Sequence, residues 1–247
     1  EKYYEIYTNI FLANQEDQEA AIPLLKKLIE NTSIDAKKNI RNIWLLCLEK
    51  KYSEVLQQIE NELKNNPSDT TGLCELKLNV LLLENKLSAA NDYIESIKDS
   101  FSKYVIWKTR ILTCLGNYNE AEDIINKNTP LFSKDFDLQV LALQTKVFNM
   151  TDNFSKNGFD PSWKSNLQPL ISKAKELLEI VHENKQDKET LLISLAFLYR
   201  VANETEEVLN YYKQLESLNS KNPNFLRNYP LILVQTGKQK ESISWFL

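Results

Sequence analysis

One histidine, three cysteines and 34 acidic side chains are the groups from which this chain could build chemistry. His182, in EIVHENK, falls on a charged helix end, and no serine, cysteine or acid pattern is placed beside it. Cys47, Cys74 and Cys114 are 27 and 40 residues apart, which fits no zinc pattern, and three thiols cannot all pair. Each stands among apolar neighbours on an expected helix, so buried, reduced thiols and a cytoplasmic setting are expected. Carboxylate pairs such as Glu206 and Glu207 fall on expected outer helix faces, where solvation explains them. The sequence contains no GxSxG, P-loop, HExxH or dinucleotide fingerprint. Sequons at Asn31, Asn149, Asn153 and Asn203 are what an asparagine-rich chain produces by chance. The expectation is no catalytic residue, no cofactor and no metal within these residues, hence no enzyme.

The elements that would position these side chains are helices. Only 4 glycines and 7 prolines interrupt 247 residues, too few for a turn-rich β fold, and 43% of the residues are hydrophobic. A net charge of −4 argues against nucleic acid, and no apolar run approaches the 18 residues of a membrane span. The opening EKYYEIYTN has no basic start or apolar stretch of a signal peptide. With no initiator Met, and with SISWFL ending inside an expected helix, the chain reads as a piece of a longer protein.

A pattern recurs along it. A small or aliphatic marker follows a polar turn at Ala21, Val55, Ala90, Ala121, Ala174, Val208 and Ser242, at intervals of 34, 35, 31, 53, 34 and 34 residues. Four residues after each marker stands a bulky side chain: Leu25, Ile59, Ile94, Ile125, Leu178, Tyr212 and Phe246. One helical turn separates the two, so they share a face. Each unit therefore reads as helix, tight turn, helix, and such pairs must stack to bury their apolar faces. In GNYNEAEDII the turn residue is Gly116, where positive φ is cheap only for glycine. Pro67 is expected to end the helix that follows Val55, Pro23 and Pro230 to kink helices or delay their start, and Pro169 to sit in a first turn capped by Asn166. The long interval between Ala121 and Ala174 holds TDNFSKNGFDPSWKSN, read as an inserted loop near 151–165. Its Phe154, Phe159 and Trp163 either anchor it or meet a partner.

Gly116, Tyr118 and Ala121, together with Tyr52, Val55, Ile59 and Pro67, resemble the tetratricopeptide repeat. The resemblance is degenerate. The family's small first-helix residue falls on Ile43, Leu78 and Thr109 in early units and on Ala142 and Ala196 only later, and its first-helix Trp is missing. It implies an all-α fold: a right-handed α-solenoid of stacked antiparallel helix pairs, one array of about seven pairs over residues 1–247.

In that family the first helices line the concave face. Counting back from the markers puts Lys37, Arg41 and Trp44 there, then Glu75 and Asn79, then Lys103, Trp107 and Arg110, with Lys146, Phe197, Arg200, Arg227 and Asn228 further along. Cations dominate this row while the second helices are acidic. Arg with Trp suits peptide recognition. The alternative is that the cations merely solvate a face and the Trp residues pack between helices. The carboxylate clamp that some members use is incomplete, with Ile6 and Ile10 where Lys and Asn are needed. The reading is an interaction scaffold, suited to membership of a larger complex, that holds a peptide or partner segment of acidic character; its rival is a targeting or regulatory array attached to a catalytic domain beyond Leu247. Neither nucleic acid nor membrane insertion is expected.

Overall fold

The computed structural model describes residues 15–31, 35–65, 70–158, 164–181 and 185–245. These form fourteen α-helices and, among the described residues, no strand. Their contacts divide the chain into two compact units, Glu1–Ile111 and Leu112–Leu247.

The first unit contains α1 (Gln15–Glu30), α2 (Asp35–Leu48), α3 (Tyr52–Asn65), α4 (Thr70–Leu83), α5 (Leu87–Ser96) and α6 (Tyr104–Leu115) as far as Ile111. From α1 to α5, each helix packs on the next. The apolar spacing explains why. In α3, YSEVLQQIENELKN, the buried residues Val55, Ile59 and Glu62 recur at i, i+4 and i+7, giving one inward stripe. Leu25, Ile43, Trp44, Leu73 and Leu76 complete that core with Val55 and Ile59.

The second unit continues through α7 (Tyr118–Lys127), the short α8 (Thr129–Phe132), α9 (Phe136–Asn157), α10 (Lys164–Ile180), α11 (Lys185–Val201), α12 (Thr205–Ser217), α13 (Pro223–Gln235) and α14 (Gln239–Ile243). From α9 to α14 neighbours again pack in order, and α9 also touches α11. Asp135 starts α9 by accepting from Asp137 N and Leu138 N at 3.0 and 3.3 Å. Asn222 starts α13 by accepting from Asn224 N at 2.9 Å, with Pro223 in the first helical position.

The turns inside the helix pairs share one geometry. Five residues before a marker, the backbone turns left-handed: Lys50 (φ 59°), Asn85 (57°), Gly116 (79°), Asn203 (63°) and Gly237 (76°). The next residue donates its N–H five residues back: Lys51 to Leu46 O, Lys86 to Leu81 O, Asn117 to Leu112 O, Glu204 to Tyr199 O and Lys238 to Leu233 O, at 2.7–2.9 Å. These are Schellman closures, which satisfy carbonyls left open at a helix end. The expected turn at Gly116 is thus one of five. The markers Ala21 and Ala174 instead lie inside α1 and α10.

The markers Val55, Ala90, Ala121, Ala174, Val208 and Ser242 are all buried, as are Leu25, Ile59, Ile94, Ile125 and Tyr212 one turn later. Small residues there let helices approach, and the bulky neighbour fills the space beside them.

Several expectations change. The segment from Thr151, expected to be loop, stays helical to Asn157. Nothing in TDNFSKN breaks a helix; Lys156 pairs with Asp152 at i,i+4 (2.7 Å), Phe154 packs on the core, and the first left-handed residue is Gly158 (φ 75°). Pro169 is not in a first turn capped by Asn166: α10 begins at Lys164 and carries Pro169 inside it. Pro23 and Pro230 also lie within their helices. Cys47 and Cys74 are buried, but Cys114 is exposed. Pro67, Phe159, Trp163, His182 and the Lys37 side chain lie outside the described residues.

Candidate functional site

Three residues of the expected row, Lys103, Trp107 and Arg110, gather around one acid. Glu75 lies in the second turn of α4, and Asn79 follows one turn later on the same helix. Lys103 immediately precedes α6, and its carbonyl accepts from Trp107 N at 3.1 Å. That fixes Lys103, Trp107 and Arg110 one turn apart along the start of α6.

Glu75 accepts from both partners on that side. Lys103 Nζ stands 2.9 Å from its Oε1 and 3.0 Å from its Oε2. Trp107 Nε1 donates to Oε1 at 3.1 Å. The Arg110 guanidinium lies 5.4 Å from the Trp107 ring centre, within cation–π range. One carboxylate thus joins α4 to α6 and leaves one positive charge in excess. Lys103 is half exposed, and Arg110 has no carboxylate partner among the described residues. The Asn79 amide, partly exposed, makes no hydrogen bond with them.

The tryptophans have a different place. Trp44 and Trp107 are each only 3% exposed, so their rings belong to the packing between helices, the role the sequence left open. Only the indole N–H of Trp107 joins the polar cluster, through Glu75. Arg41 of α2 turns toward α1, donating from Nη1 to Leu28 O at 3.3 Å. Lys37 lies on the same helix. In the second unit, Arg200 donates to Asn228 Oδ1 at 3.0 Å. That contact links the last turn of α11 to the second turn of α13. No protein-family model matches the chain, and no curated protein matches it.

A second set of contacts escaped the sequence reading. Lys77 of α4 reaches Glu60 of α3 at 3.0 Å, and Lys108 of α6 reaches Glu95 of α5 at 2.6 Å. Hydrogen bonds from these lysines hold both glutamates below the usual carboxylate range. Lys77 also stands over the Tyr93 ring at 4.2 Å, and Tyr93 donates to Cys74 Sγ at 3.1 Å. Burial pushes the Cys47 thiol up to about 12, leaving it un-ionised and unreactive at neutral pH. The signal was present as a lysine thirteen residues before a marker and a glutamate five after the preceding one.

Among the described residues, no helix is long and apolar enough to cross a membrane, and no cluster of His, Cys, Asp and Glu could hold a metal ion.

Proposed function

We propose that this chain is a cytoplasmic interaction scaffold of the tetratricopeptide type, a right-handed α-solenoid that holds a segment of acidic character from a partner protein. The five recurrent Schellman turns and the buried markers support the repeat reading. The carrying observation for function is the excess positive charge at the α4–α6 junction. Arg110, without a carboxylate of its own, and Lys103, shared with Glu75, offer two cations in one place.

A partner carboxylate gains a charge-assisted hydrogen bond from Arg110 and competes with Glu75 for Lys103. The Asn79 amide offers a donor and an acceptor for the partner's backbone. The buried Trp107 ring supports Arg110 from beneath rather than contacting the partner broadly. Lys37 and Arg41 add two further cations on α2, with Arg41 bonded to Leu28 O.

The test is titration of a fluorescent glutamate-rich peptide, and of its glutamine counterpart, at low and high salt. The acidic peptide should bind more tightly, with an affinity that falls as salt rises. The folded Arg41→Glu, Arg110→Glu double mutant should bind it more weakly and with less salt dependence. Equal binding of both peptides, or unchanged affinity in the double mutant, would overturn the reading.

A further inference from the structure

A separate groove opens to solvent within the second unit. Its volume is about 300 Å³, and α7, α8, α9 and α10 all contribute to it. Ile125, Phe132, Leu143 and Leu170 give it apolar walls. Lys146 of α9 and Lys173 of α10 add positive charge, and among the described residues no acidic side chain lines it.

The two lysines are not equivalent. Lys173 pairs with Glu176 on its own helix at 2.8 Å. Lys146 is partly buried and has no carboxylate partner among the described residues. Its stem can lie along the apolar walls while its ammonium, free of a carboxylate there, offers a charge-assisted hydrogen bond to an anion. The polar lining is suited to a backbone. Asn126 contributes a carboxamide, and Gln139 donates to Ser133 O at 3.2 Å while its own carbonyl remains an acceptor.

We propose that this groove is a binding site for a peptide segment that presents an apolar side chain beside a carboxylate. The apolar side chain rests against Leu170, over the buried floor that Ile125, Phe132 and Leu143 form; the carboxylate meets Lys146, and the flanking backbone lies along Asn126 and Gln139. The volume sits at the lower end of the usual range of ligand pockets and the groove is open, which suits a side chain with its backbone rather than an engulfed molecule. The site is separate from the Glu75 cluster, so it stands or falls independently of that proposal.

The probes are acetyl-Leu-Asp-amide, its uncharged isostere acetyl-Leu-Asn-amide, and hexanoate as a free small acid. Each is titrated into the intact, methyl-labelled protein and followed by NMR. The aspartate peptide should shift the methyl signals of Ala142, Leu143 and Leu170 saturably. Replacing its carboxylate by the amide should weaken binding about tenfold, the loss of one charged hydrogen bond. Lys146→Met, which keeps the aliphatic stem, should weaken it similarly, while Lys213→Met, at an exposed position of α12, should leave it unchanged. Absence of shifts at these methyls, equal binding of the two peptides to the wild-type protein, or full affinity in a folded Lys146→Met variant would overturn the proposal. Hexanoate binding as tightly as the peptide would overturn the assignment to a peptide segment.

Discussion

The Lys108 ammonium lies 2.6 Å from Glu95 Oε1, and it is the lysine of this pair that is buried: its side chain is 9% exposed, against 41% for the glutamate. Lys77 and Glu60 repeat the arrangement two helices earlier, with the lysine again the more buried partner. In each pair the lysine stem fills the space between two helices and its head reaches out to the acid on the preceding helix. The pair is therefore a register device as much as an electrostatic one, because it forms only when the helices are correctly aligned.

This arrangement makes stability depend on acid. Glu60 and Glu95 are held below the ordinary carboxylate range by their lysines. Their contribution is present above the unfolded glutamate pKa of about 4.3 and is lost as pH falls through the lowered folded value. Lys108→Met should flatten that part of the acid limb. The change should be ~1 kcal/mol or less, because Glu95 is screened by water. Urea unfolding at stepped pH measures it; wild-type and variant curves that stay parallel down to acid would contradict it.

The five intra-pair turns predict opposite outcomes for two substitutions. Gly116→Ala places a Cβ in open space, so its cost is conformational rather than a clash, about 1 kcal/mol. Lys50→Gly relieves a side chain held at φ 59° and should stabilise by up to ~1 kcal/mol, less the added freedom of the unfolded chain. Thermal unfolding should therefore shift down for the first and up for the second. A lower Tm for Lys50→Gly would show that its side chain contributes more than its backbone strain costs.

Ala121 is completely buried where α7 packs. Ala121→Leu should destabilise the protein by ~1–3 kcal/mol, because the core must open to admit three more carbons. Leu131→Ala, at an exposed position, should change stability by about 0.5 kcal/mol or less. Similar denaturant midpoints for the two variants would mean that the marker does not govern the approach of the helices.

The helical extension of α9 has its own test. Thr151 Oγ1 bonds Val147 O at 2.7 Å, and Gly158 N closes on Phe154 O at 2.9 Å. Amides from Thr151 to Asn157 should therefore exchange more slowly than free loop amides. Unprotected exchange across this segment would restore the loop reading.

The periodic apolar pattern made much of the helical framework legible. A marker and its bulky partner fix a helix face whatever the surrounding loops contain, which is why Val55 with Ile59 and Ala90 with Ile94 are found buried together. The polar composition of TDNFSKN was misleading because composition distinguishes solvent from core better than helix from loop. Pro169 was misleading because proline penalises a helix interior without forbidding it. At the candidate site, the spacing named Glu75, Lys103, Trp107 and Arg110 but not the bonds by which the carboxylate ties two of them together. Their contact with Glu75 depends on how α4 and α6 lie against one another, information that spacing along a single helix does not contain.

The left-handed turns have a consequence for how such a chain can change. Only two of the five use glycine; the others use asparagine or lysine and close the same backbone bond. A bond between main-chain atoms is indifferent to the letter above it, and each departure from glycine costs only about 1 kcal/mol. A lineage can therefore spend its mutations on these corners one at a time, losing the spelling of the repeat long before it loses the bend.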